Sequence, residues 1–161
     1  GVGPDDASFP ALRDAFLSLY EANLLVHTVV FPDILVVLEM LAQHQIPWGI
    51  VTNKATRFAT PVVTGLGLHV KTAVLVCGDT TARAKPHPDP LLEAARRLGV
   101  APGRCVYVGD DLRDVQAGRA AGMSTLAAAW GYLGQGDSID TWGADSVLNS
   151  PRHLLHWLDL P

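Results

Sequence analysis

The chain has 161 residues, about the length of one domain, and 48% of them are apolar, enough for a core and against intrinsic disorder. A formal charge of −4 with no basic block disfavours nucleic acid as a main partner. Unbroken apolar runs such as residues 34–38 fall far short of the ~18 needed to span a bilayer, and two cysteines, Cys77 and Cys105, build neither a disulfide scaffold nor a four-cysteine zinc site.

Leu12, Ala15, Phe16, Leu19 and Tyr20 recur at helical spacing, and a second helix is predicted over 34–43. From Pro47 onward, β-rich runs alternate with helical stretches. Strands are predicted at 47–52, 72–77, 104–108 and 124–129, with a short fifth at 144–148. Helices are predicted at 55–65, 90–98, 112–121 and 151–158, the first three stopped by Gly65, Gly99 and Gly122. Strands that are apolar throughout are buried on both faces, which implies a doubly wound parallel sheet of α/β class. Ligands of such folds sit at the carboxyl ends of the strands. No export leader is read in the opening residues, and a reducing cytoplasm is the expected setting.

Three polar clusters lie just past strand ends. Thr52-Asn53-Lys54 offers a hydroxyl and backbone N–H groups at a helix start, suited either to an anion or to plain N-capping. Lys85-Pro86-His87-Pro88-Asp89-Pro90 holds a lysine at the head of a stiff segment. That lysine is either a phosphate-binding point charge or the edge of a rigid surface loop. His87 reads as structural, through a side-chain bond to backbone. Gly109-Asp110-Asp111-Leu112-Arg113-Asp114 places three carboxylates within five residues. First-turn acidity accounts for one of them; three suit a hard cation such as Mg²⁺. Arg13 and Arg57 are cations available to a carboxylate or sugar. His153 and His156 read as surface or packing residues, and Trp130, Trp142 and Trp157 as core and lid packing.

These clusters, in this order and with Ala117-Gly118-Arg119-Ala120-Ala121-Gly122-Met123 after them, resemble the haloacid dehalogenase superfamily. Within it the chain looks like the phosphoglycolate-phosphatase group, whose close relatives include phosphatases of N-acetylmuramate 6-phosphate. The resemblance implies that Thr52 and the Asn53 N–H bind phosphoryl oxygens and that Lys85 neutralises charge. It implies that Asp110 binds Mg²⁺, with Asp114 and Asp111 completing the shell. The expected substrate is a small phosphorylated metabolite; the oligomeric state is left open. The family's first motif, a strand ending Asp-x-Asp-Gly-Thr whose first Asp becomes an aspartyl phosphate, has no counterpart in these residues. Residues 1–27 then read as the remnant of a helical cap, and 28–161 as a core lacking its first strand. The expectation is a fragment, inactive alone and missing a central strand between those ending at Thr52 and Gly109. The alternative is a non-catalytic phosphate-binding module or pseudoenzyme.

Overall fold

Every strand pairing is parallel, as apolar runs joined by helices require. The computed structural model describes residues 3–134 and 136–161, so the first two residues of the expected cap remnant lie outside it. Its elements are α1 (Phe9–Ala22), α2 (Pro32–Gln43), β1 (Gly49–Val51), α3 (Thr56–Gly65), β2 (Val74–Val76) and α4 (Asp89–Leu98). They continue with β3 (Val106–Gly109), α5 (Leu112–Ala120), β4 (Ser124–Ala128), β5 (Ser146–Leu148) and α6 (His153–Trp157). The ladders are shorter than the apolar runs that predict them, because side-chain pattern extends past the last backbone pair.

The sheet is split. β1 pairs with β2, and β3-β4-β5 form a separate ladder. Thr52 N–H donates to Val76 C=O, and Ala73 N–H donates to Trp48 C=O, both at 2.9 Å. Peptide groups alternate along a parallel strand, so those of Gly49 and Val51 turn away from β2. The same logic, from Ser124 N–H donating to Cys105 C=O, turns those of Val106 and Val108 away from β4. The two edges wall a cleft of about 720 Å³, bounded by Trp48 and Gly49 on one side and by Val106 and Val108 on the other. α2 and α6 close it through Val37, Leu38 and Leu154.

On the face of α4 and α5, Leu91 and Ala95 meet Ala117, Ala121 and Met123 over Val51 and Tyr107. Leu91 is fully buried, a contribution of roughly 1.5–3 kcal/mol. Glu93 takes Arg96 and Arg97 at helical spacing, and α4 stops at Gly99 in the left-handed region, φ 67°. α2 and α6 pack through Val37, Leu38, Leu41 and Leu155. α1 has no buried residue, and its Leu12, Phe16 and Leu19 are exposed. It is tied down near its end, where Tyr20 meets Phe58 of α3 edge-on at 5.4 Å and Glu21 accepts from Arg57 at 2.5 Å. Among the described residues, no helix is long and apolar enough to cross a membrane.

Two packing expectations need correction. Trp142 is buried, but Trp157 is 40% exposed, since α6 turns it outward from the Leu155 cluster. His87 is exposed, and its backbone N–H rather than its ring makes the loop bond, to Ala84 C=O at 3.0 Å.

Candidate active site

The ends of β1, β2 and β3 carry the three polar clusters to one place. Thr52 continues β1 by one residue, and its Oγ1 accepts from Lys54 N–H at 3.1 Å. The Thr52–Lys54 turn lies against the end of β2 because Gly78 has no side chain: a Cβ there would stand 2.2 Å from Asn53 C=O. Asn53 is a staple. Its Nδ2 donates to Lys85 C=O at 2.9 Å, and its Oδ1 accepts from Lys85 N–H at 3.0 Å. The sequence points only to the Asn53 backbone N–H; the structure adds this two-armed side-chain clamp, whose partner lies 32 residues away. The Lys85 loop is also braced by a bidentate bond from Arg83 to Asp89, which opens α4.

Lys85 Nζ donates to Asp114 Oδ1 at 2.6 Å, to Tyr107 Oη at 2.8 Å and to Val51 C=O at 3.2 Å. Lys85 and Asp114 are about nine-tenths shielded from solvent. Tyr107 Oη accepts from Lys85 and donates to Val51 C=O at 3.1 Å, with Asp114 Oδ1 at 3.4 Å. Burial, then the neighbouring Asp114 charge, pushes the Tyr107 phenol well above its ordinary range, so it stays neutral. Tyr107 reads in the sequence as one more apolar strand residue, and nothing there flags its hydroxyl.

The acidic run divides its labour. Asp111 is the N-cap of α5: its Oδ1 accepts from Arg113 N–H at 2.8 Å, and Asp114 Oδ2 accepts from Asp111 N–H at 3.2 Å, completing a capping box. Asp111 also takes the Arg113 guanidinium, which lowers its carboxyl to about 2. Asp110 Oδ2 accepts from Tyr132 N–H at 2.7 Å, and its Oδ1 has no partner among the described residues. Gly109 lets Asp114 approach the strand end, for a Cβ there would stand 2.3 Å from Asp114 Cβ.

The clusters therefore bring Thr52, Asn53, Lys85 and Asp114 together. Asp111 faces Arg113, and no group of three potential metal-ligating side chains forms among the described residues. Asp110, with a spare carboxylate oxygen at a strand end, has the chemistry of a hard-cation ligand; Asp111 and Asp114 are occupied by the cap and by Lys85. Arg13 pairs with Asp14 and Arg57 with Glu21, both on the exposed surface.

A family model described as haloacid dehalogenase-like hydrolase matches residues 5–128. The chain belongs to that family. Two relatives illustrate its place among the haloacid dehalogenase-like hydrolases. It is 40% identical over 159 residues to the N-acetylmuramic acid 6-phosphate phosphatase of Pseudomonas aeruginosa, covering 99% of this chain and 70% of that protein. It is 48% identical over 151 residues to the phosphoglycolate phosphatase of Xanthomonas campestris, covering 93% of this chain and 68% of that one. A solved structure from Haemophilus somnus, described as a predicted phosphoglycolate phosphatase, superposes with a TM-score of 0.88 at 24% identity. It covers 98% of this chain and 68% of its own, and establishes the fold.

Proposed function

We propose that this chain carries most of the active site of a Mg²⁺-dependent phosphomonoesterase acting on a small phosphorylated metabolite, phosphoglycolate or a sugar phosphate, in the cytoplasm. The observation that carries the reading is Lys85: a shielded ammonium, clamped by Asn53 at the point where three strands end. Phosphoryl transfer asks for placement and charge compensation rather than covalent help from most of the site. Thr52 Oγ1 and the Asn53 N–H hydrogen-bond the phosphoryl oxygens. Lys85 neutralises charge there. Asp110 holds Mg²⁺, which supplies further neutralisation of the transferring group. Asp114 fixes the lysine from below, and Tyr107 holds it from β3.

The nucleophile in this reading is an aspartate on an extended segment seated between β1 and β3. The peptide groups of Gly49, Val106 and Val108, which line that cleft and face away from their own ladders, support it, since buried backbone groups seek partners. The aspartate carboxylate attacks phosphorus, and the ester oxygen leaves with a proton from a second acid. Water then hydrolyses the aspartyl phosphate, releasing phosphate and restoring the carboxylate. The named activities of the Pseudomonas and Xanthomonas relatives agree with this class of reaction.

The test is hydrolysis of p-nitrophenyl phosphate with Mg²⁺. The expected result is no turnover by the 161-residue chain and turnover by a version bearing an N-terminal Asp-x-Asp-Gly-Thr strand. An inactive extended protein, correctly folded, overturns the reading.

A further inference from the structure

Lys54 is a cation at the edge of this cradle whose charge no carboxylate answers among the described residues. By contrast, Lys85 pairs with Asp114, Arg57 with Glu21, Arg83 with Asp89 and Arg113 with Asp111. Glu21 follows Tyr20 directly, yet it is taken up by Arg57 rather than by Lys54. Lys54 Nζ instead donates to the Tyr20 hydroxyl and lies 4.6 Å from the centroid of that ring. A phenol and a π face hold an ammonium without cancelling its charge.

The position of Lys54 is fixed by its backbone. Its N–H donates to Thr52 Oγ1, and its C=O accepts from Gly78 N–H at 2.9 Å. The ammonium therefore springs from the same turn that carries Thr52, and it reaches toward α1, half-buried. A ligand whose phosphate sits at Thr52 therefore has this ammonium on a residue of the adjoining turn.

We propose that Lys54 Nζ binds the carboxylate of a substrate that is both a phosphate ester and a carboxylic acid. Tyr20 is the hydroxyl that holds the ammonium in place until the acid arrives. This rests on the phosphatase reading above. The substrates in the names of the two relatives share this chemistry: phosphoglycolate and N-acetylmuramic acid 6-phosphate each carry a carboxylate beside the phosphate.

The test is calorimetric binding of 2-phosphoglycolate and of ethyl phosphate, the same ester with methyl in place of carboxylate. It is carried out without Mg²⁺, on the strand-extended protein and its K54M and K54R variants. The unmodified protein is expected to prefer phosphoglycolate by about tenfold or more, as an ionic hydrogen bond provides. K54M should erase that preference by weakening phosphoglycolate alone, leaving ethyl phosphate within about twofold, and K54R should keep part of the preference. Equal weakening of both ligands by K54M, or a preference that survives it, overturns the role of Lys54. Failure of the unmodified protein to bind either ester instead withdraws the phosphate cradle, and this inference with it.

Discussion

Lys85 Nζ and Asp114 Oδ1 are 2.6 Å apart across 29 residues of sequence, and each side chain is about nine-tenths shielded. A buried pair is poor evidence of net stabilisation, but removing one partner strands the other. Asp114 also closes the capping box of α5. Asp114→Ala is therefore expected to lower the unfolding free energy by about 3–5 kcal/mol, read by urea titration. A loss below about 1 kcal/mol would mean that water replaces the pair.

Lys85→Ala in the strand-extended enzyme is expected to reduce turnover by two or more orders of magnitude, since a charge beside a developing dianion is worth ~3–4 kcal/mol. Steady-state hydrolysis of p-nitrophenyl phosphate measures it. A loss under tenfold would make Lys85 a bystander. Asp110→Asn is expected to abolish Mg²⁺-dependent turnover in the same assay, and near-normal rates would remove Asp110 from the metal.

Asn53→Ala cuts both bonds to the Lys85 backbone. Its expected cost in stability is small, roughly 0.5–1.5 kcal/mol for each exposed bond lost. The effect is read locally: the Lys85 amide should exchange with deuterium about tenfold faster, a change of ~1.4 kcal/mol in local opening. Unchanged exchange there would show that Arg83 and Asp89 hold the loop without Asn53.

Gly109→Ala drives a methyl to 2.3 Å from Asp114 Cβ, a contact that neither strand nor helix yields easily. The expected destabilisation is about 1–3 kcal/mol, with Lys85 displaced along with Asp114. A shift in the urea midpoint at unchanged slope checks it.

The Asp111–Arg113 pair sets a pH dependence. Arg113 holds the Asp111 carboxyl at about 2 in the folded protein, below the usual range of an unfolded chain. A lowered folded value means stability that is fully present above about pH 4 and lost as pH falls towards 2. Arg113→Gln should therefore be less stable than the unmodified protein at pH 7, with most of the difference gone by pH 2. Denaturant melts across that range measure it. An undiminished difference at pH 2 would assign the effect of Arg113 to packing.

Periodicity and turn residues carry the fold: Gly65 and Gly99 each fall at a helix end, and the apolar runs at 72–77 and 104–108 each hold a strand. Polar residues following such runs mark the site, which is why Thr52, Lys85 and Asp114 are legible one by one. Their partners are less so. Tyr107 is hidden in an apolar run because a phenol serves a core as well as a hydrogen bond. The Asn53 clamp spans 32 residues, and no local pattern encodes a contact of that range. Asp111 carries a readable signal, since Asp-x-x-Asp at a helix start has the spacing of a capping box, but three clustered acids equally match a cation site.

The division of the sheet has a consequence for how the molecule breathes. β1 and β2 share one ladder of three residue pairs, whereas β4 is flanked on both sides. The β1–β2 ladder is short and open on one side, so its amides are expected to exchange with solvent before those of Leu126 and Ala127, although Leu91, Ala95, Ala117 and Ala121 pack the two halves into one core.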